Sequence, residues 1–250
     1  MKSMFLSCSL FKPQKPEVYT ILSKKGTYPY RDDSKLYIKK VEEHRSLEPQ
    51  AFGKLIEIYY DDTIFLRKMD EKTLEIKVEP VRYTEGPKNL YIFYREPLNN
   101  ILGVFASSGD STKISRIMTG VAQNMSTEPF YQPLKNLRFM LKEKENEINK
   151  IEAFGETIEV RVSDIRDPYI ADVWLKGSTI DRSVEYEKLI RDPTIGGMVE
   201  YMAINYQEKT YYLFSDGRLF TRQATDNIMQ EIYPIFGITQ KLCEVGAVQF

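Results

Sequence analysis

"QAFGKLIEI" (residues 50–58) and "EAFGETIEV" (residues 152–160) agree at five of eight positions from the alanine onward. A match of this size is what chance offers in a chain of 250 residues, so its weight depends on the order of elements after each copy. After Gly53 come "KLIEIYY", the acidic pair Asp61-Asp62 and "TIFLRKM", two strand-like runs across a polar turn. After Gly155 come "ETIEVRVSDI", the segment from Arg166 to Pro168, and "YIADVWL", the same β-turn-β pattern.

The first copy continues through "TLEIKVEPVRY", a break at "TEGPK", "NLYIFYR", a break at "EPLNN" and "ILGVFAS". A helix comes next, capped by Asp110 or Ser111, with Ile114, Ile117, Met118 and Val121 on one apolar stripe. The second copy continues through "MVEYMAINY", "TYYLFS" and "RLFTRQ", the last two joined by Asp216-Gly217, a pair suited to a tight hairpin. It then enters a helix carrying Ile232 and Phe236 that bends or ends near Pro234 and Gly237. It also inserts a short helix capped by Ser183 and carrying Tyr186, Leu189 and Ile190.

The order β-β, β-β-β, α therefore occurs twice. The expected fold class is α+β, built from two related, mainly antiparallel β-rich units by internal duplication. The N-terminal unit spans 1–130 with a repeat core at 51–124. The C-terminal unit spans 131–250, with a connecting helix at 134–153 and a repeat core at 153–238. The first fifty residues read as strands at 5–11 and 18–23 and a helix at 33–43. If the duplication runs through the shared Ala-Phe-Gly, Phe52 and Phe154 occupy corresponding places.

Charge narrows the function classes. Lys and Arg number 35 against 36 Asp and Glu, so no overall field draws the chain to nucleic acid or an anionic membrane. Any nucleic-acid surface must be local. The only cysteines, Cys8 and Cys243, stand near opposite ends without a CxxC, which argues against a disulfide framework and a zinc site. The start "MKSMFLSCSLF" has the outline of a signal peptide, but Lys12, Lys15 and the alternation of Leu6, Cys8 and Leu10 suit a strand better. No apolar run approaches the ~18 residues that cross a bilayer. The expectation is a cytoplasmic protein without membrane contact.

His44 is the one histidine, so every histidine-dependent triad elsewhere is excluded. Asp62, Glu75 and Lys77 offer the pattern of a magnesium-dependent PD-(D/E)xK nuclease, in which two carboxylates hold the ion and the lysine polarises the attacked group. Against this, Glu75, Lys77 and Glu79 alternate with Leu74, Ile76 and Val78, the plain signature of a strand with one wet face. Ser108, Gly109, Ser111, Thr112 and Lys113 form a strand-to-helix passage able to hold an anion on free first-turn amides, although Asp110 opposes one. Lys24, Lys25 and Arg31 surround Tyr28 and Tyr30, a local basic-aromatic stretch of the kind that contacts single-stranded nucleic acid. Trp174, in a strand-like run, reads as core.

The resulting expectation is a binding protein without cofactor or metal. It acts through protein-protein contacts made by its tyrosine-rich strands, with another protein or with its own copy in a homo-oligomer. Nucleic-acid binding is the first alternative and magnesium-dependent cleavage the second.

Overall fold

The computed structural model describes residues 7–15, 17–44, 51–69, 72–73, 75–95, 101–107, 109–125, 133–166, 170–192, 196–222 and 229–249. In chain order these form β1 (Ser7–Pro13), α1 (Glu17–Leu22), β2 (Gly26–Arg31), β3 (Ser34–His44), β4 (Ala51–Met69), β5 (Ile76–Arg95), β6 (Ile101–Ala106) and α2 (Ser111–Asn124). Next come β7 (Leu134–Asn136), β8 (Arg138–Phe139), α3 (Glu145–Asn149), β9 (Glu159–Ile165), β10 (Asp172–Lys176) and α4 (Val184–Arg191). The chain closes with β11 (Gly196–Tyr206), β12 (Lys209–Phe214), β13 (Arg218–Thr221), α5 (Met229–Glu244) and β14 (Val248–Gln249). The fold is α+β around one large antiparallel sheet.

That sheet runs β10-β9-β11-β12-β13-β1-β6-β5-β4-β3-β2. β1 sits at its middle. One edge of β1 pairs with β6 through Ser7↔Ala106 to Phe11↔Leu102. The other edge pairs first with β13, from Ser7↔Phe220 to Ser9↔Arg218, and then with β7, from Phe11↔Asn136 to Pro13↔Leu134. From β1 outward, the N-terminal wing runs backward along the chain and the other does so as far as β9, with β10 outermost, and the innermost strand of each wing is followed in sequence by a helix.

Side-chain alternation places those helices on opposite faces. Leu90, Ile92, Leu102 and Val104 are buried with Ile114, Ile117, Met118 and Val121 of α2, whereas Tyr91, Phe93, Ile101 and Phe105 are buried with Ile232, Ile235 and Phe236 of α5. The Phe93 and Phe236 rings meet edge to face at 4.9 Å. β1 serves both cores, with Cys8 and Leu10 in the second and Phe11 in the first. The sheet and the larger core both cross residues 130 and 131.

Several expected elements differ. The 33–43 segment is strand β3, not a helix, and 18–23 falls largely in helix α1, not a strand. The acidic pair Asp61-Asp62 is no turn: β4 runs through it for 19 residues. Both side chains are held from flanking elements, Asp61 by the Lys35 amide at 3.0 Å and the Thr84 hydroxyl at 3.0 Å, and Asp62 by Lys113. Nor does "TEGPK" end a strand. β5 absorbs Gly86 and Pro87 as a bulge, since Ile58↔Lys88 gives way to Tyr60↔Glu85 across the pair. The 134–153 segment is not one helix but β7, β8, α3 and a 3-10 turn at Glu152–Phe154. α5 continues past Pro234 and Gly237 to Glu244. Trp174 is 57% exposed on the outermost strand β10.

The Ala-Phe-Gly correspondence also fails. Phe52 lies inside β4, paired in register with Tyr94, while Phe154 ends a 3-10 turn ahead of β9. The two segments begin unrelated elements.

One close approach fixes the N-terminal wing. β2 is the outermost strand there, and α2 passes so near it that a Cβ on Gly120 would stand 2.3 Å from the Tyr30 carbonyl oxygen. Backbone on one side and a helix axis on the other leave no room to yield. Gly120→Val is expected to destabilise the fold by about 1–3 kcal/mol, read as a lowered urea midpoint, because β2 must lift off α2. An unchanged midpoint would show that the approach is not tight.

Candidate functional site

α2, the β2–β3 turn, the middle of β4 and Arg82 of β5 line an open cavity of about 620 Å³. It gathers residues from three separate stretches of sequence: Tyr30 and Arg31 from the basic-aromatic stretch, Asp62 from the nuclease pattern, and Lys113 from the strand-to-helix passage. Arg82, Arg116, Phe65 and Ile117 complete the parts of its wall that matter chemically.

The floor is an ionic lattice. Lys113 pairs with Asp62 and with Glu85 at 3.3 Å, and Tyr83 donates its hydroxyl to Asp62 at 3.1 Å. Lys88 joins Glu85 at 3.0 Å to Asp110 at 3.1 Å. These contacts set the protonation states. Hydrogen bonding from Lys88, with Lys113 beside it, outweighs burial and pulls the Glu85 carboxyl down to about 2. Burial alone would raise the Asp62 carboxyl, but Lys113, the Thr63 amide and Tyr83 together bring it below the ordinary aspartate value. Burial alone would likewise lower the Lys113 ammonium, and Asp62 with Glu85 instead raise it well above an ordinary lysine.

Above this floor the cations are loosely held. Arg31 meets Asp32, and Arg82 meets Asp33, each at 3.5 Å between exposed side chains. Arg116, one turn along α2 from Lys113, has no ion-pair partner among the described residues. Asp61 lines the same cavity, but its carboxylate accepts from the Lys35 amide, Tyr37 and Thr84, and its carbonyl accepts from Tyr30. Tyr30 is thereby fixed in the wall.

Other sequence candidates lie elsewhere. Glu75 and Lys77 are exposed near the far end of the β4–β5 hairpin. Asp62 pairs with Tyr83 and Ile76 with Met69, seven residues further out, so Glu75 stands more than about 20 Å from Asp62 along the ribbon. No single ion spans that gap. Among the described residues no group of three His, Cys, Asp or Glu is placed to hold a metal. Lys24 and Lys25 are exposed ahead of β2, and Tyr28 donates to the Lys24 carbonyl at 2.8 Å; none of the three lines the cavity.

In the strand-to-helix passage, Ser108 lies outside the described residues. Gly109, Ser111 and Thr112 do not line the cavity, and the α2 amino end carries Asp110, whose carboxylate is taken by Lys88 and by the Ser107 hydroxyl at 2.6 Å. The Asp110 side chain does not bond the first-turn amides, contrary to a side-chain cap there, but its negative charge stands at the end of the helix that an anion would approach. His44 ends β3 rather than a helix.

A second feature, which the sequence pattern does not flag, is the outer half of the β4–β5 hairpin. From Thr63↔Arg82 to Met69↔Ile76 the two strands pair only with each other, a ribbon about 20 Å long, because β3 stops at Tyr60 and β6 reaches only Tyr91. Phe65, Met69, Ile76 and Val78 share one of its faces and are 68%, 62%, 61% and 56% exposed. The other face is partly ionic, with Lys68 and Glu79 paired at 2.6 Å.

The lattice has a pH signature. Glu85 is depressed in the fold, so its contribution is complete above the unfolded glutamate value near 4.5 and is lost as pH falls from there through about 2. Glu85→Gln is expected to cost about 1 kcal/mol at pH 7, after allowance for solvent screening, and to flatten the loss of stability below pH 4.5. Urea titrations of both proteins between pH 2 and 7 check this, and parallel curves would refute it.

Set against models of protein families, curated proteins and solved structures, the chain matches none.

Proposed function

We propose that this chain is a binding protein rather than a catalyst, and that it joins a second copy of itself through the β4–β5 ribbon. One observation carries the reading: four large apolar side chains stand more than half exposed on one face of a ribbon that no third strand supports. An isolated two-stranded ribbon is marginal in water, and a contiguous apolar face on one marks a contact surface.

The face suits a copy of itself. Two ribbons stacked about 10 Å apart around a twofold axis set Phe65 and Pro80 of one over Met69 and Ile76 of the other. A ring then meets a thioether, a contact worth more than its area alone. Arg67 and Arg82 share the face, and their long stems lie along apolar surface while the guanidinium groups reach water at the rim.

Several placements weigh against catalysis. Glu75 and Lys77 are remote from Asp62, and Asp62 is itself committed to Lys113 and Tyr83. The wings supply a further element of the proposal: they are copies of one sheet-and-helix unit related by a half-turn about β1. That rotation matches β6 with β13, β5 with β12, β4 with β11 and α2 with α5, and it carries each helix to the opposite face.

Light scattering on the full chain is expected to give twice 29.3 kDa at micromolar concentration. Phe65→Ser and Val78→Ser are each expected to weaken the association at least about tenfold, or ~1.4 kcal/mol, with the far-ultraviolet circular dichroism unchanged. A 29.3 kDa particle at every concentration would overturn self-association.

A further inference from the structure

We infer that the cavity at the ribbon root binds a small phosphorylated ligand carrying an aromatic ring, of the nucleoside diphosphate class. The inference goes beyond the contact surface proposed for the ribbon and rests chiefly on Arg31, Arg116 and Lys113, which lie outside that surface, whereas Phe65 and Arg82 belong to both.

Size comes first. At about 620 Å³ the cavity falls within the range of small-molecule sites, roughly 300–1,000 Å³. The chain as a whole carries a net charge of −1, which gives a long polyanion no field to follow.

Charge comes second. Four cations line the wall, Arg31, Arg82, Arg116 and Lys113. Three acids line it too, but two are engaged: Asp62 by Lys113 and Tyr83, and Asp61 by the Lys35 amide, Tyr37 and Thr84. The third, Asp32, holds Arg31 only through an exposed contact of 3.5 Å. Exposed pairs of this kind contribute little, so a dianion recruits Arg31 and Arg82 from their aspartates with little loss. Among the described residues Arg116 has no such partner to leave. Three guanidinium groups with planar donor forks are the chemistry that recognises a phosphoryl group, and Lys113 adds positive field while its own hydrogen bonds stay committed.

Beside Ser34 and Thr63, the remaining wall is Tyr30, Phe65 and Ile117. Phe65 offers an exposed ring, Tyr30 is fixed by its bond to the Asp61 carbonyl, and Ile117 lies on the same face of α2 as Lys113. An aromatic ring in the ligand finds a stacking partner there, and the phosphoryl end reaches the arginines. Inorganic phosphate has only the second of these contacts.

Calorimetric titration of the full chain with adenosine diphosphate, uridine diphosphate and inorganic phosphate tests the inference. Saturable binding of at least one diphosphate is expected, at least about tenfold tighter than phosphate and weaker at higher salt. Arg116→Gln should weaken it about tenfold while the mass by light scattering stays as in the parent chain, and Arg82→Gln, which also lies on the ribbon face, should weaken it several-fold. Arg116 is exposed, so its loss leaves the fold intact, which an unchanged urea midpoint verifies. The inference is overturned by no binding at millimolar nucleotide, by binding that ignores both arginine variants, or by binding confined to an oligonucleotide or a phosphopeptide. Failure of the ribbon variants to change the mass would leave this result untouched.

Discussion

Everything in this fold hangs on β1 being shared. A strand has two hydrogen-bonding edges, and here one is given to β6 and the other to β13 and β7, so a seven-residue segment makes one sheet of two wings. Its side chains are divided in the same way. Cys8 and Leu10 enter the core under α5, and Phe11 the core under α2. Neither wing has a complete core without it. The cost is paid in composition: Ser7 and Ser9 are also buried, and the Ser9 hydroxyl has no hydrogen-bond partner among the described residues.

Buried carboxylates recur where the second wing needs tying down, each met by a hydroxyl or a cation. Glu159 accepts from Tyr201 at 2.7 Å and from Tyr212 at 3.3 Å, Glu231 from Tyr211 at 2.8 Å with Lys209 beside it, and Glu145 from Asn149 at 2.6 Å and Arg191 at 3.2 Å. Burial, with Glu231 next, pushes the Tyr211 hydroxyl far above the ordinary tyrosine range. These arrangements orient strands and helices within a closed interior. The ionic floor beside α2 uses the same residue types at a surface that opens into a cavity, and this difference in access makes it a candidate site.

The sequence showed what local pattern can show. Strands β6, β9, β11, β12 and β13 stand where their apolar and aromatic runs place them, the Asp216-Gly217 turn is where expected, and α2 buries all four residues of its stripe. Ser183 does cap α4, accepting from the Tyr186 amide at 3.1 Å. β3 misled because of a bulge: Leu36 and Ile38 are spaced by two, but the register shift before Lys40 brings Val41 inward at a spacing of three, which imitates a helix. α1 misled in the opposite sense, since Val18, Thr20 and Ile21 are strand formers that only tertiary packing makes helical. The acidic pair in β4 looked like a turn because the bonds that straighten it come from β3, β5 and α2. At the cavity, Tyr30, Arg31, Asp62 and Lys113 were each visible, but their meeting was not. Arg116 left a faint signal, three residues after Lys113 on a helix face with no acid nearby.

The pairing of β1 also sets a timetable for synthesis. Ser7 finds its partner Ala106 when the first wing is made, yet its other partner is Phe220, near the far end of the chain. At roughly 5–20 residues per second the ribosome needs about 6–23 s to travel from the end of β6 to that of β13. Throughout that interval the first wing has its helix and most of its core, but β1 presents a bare row of amides and carbonyls along one edge. Such an edge is a template for any extended chain nearby, including the same protein on an adjacent ribosome. The strand that unites the finished molecule is thus, for those seconds, the place where the nascent one is most open to pairing with the wrong partner.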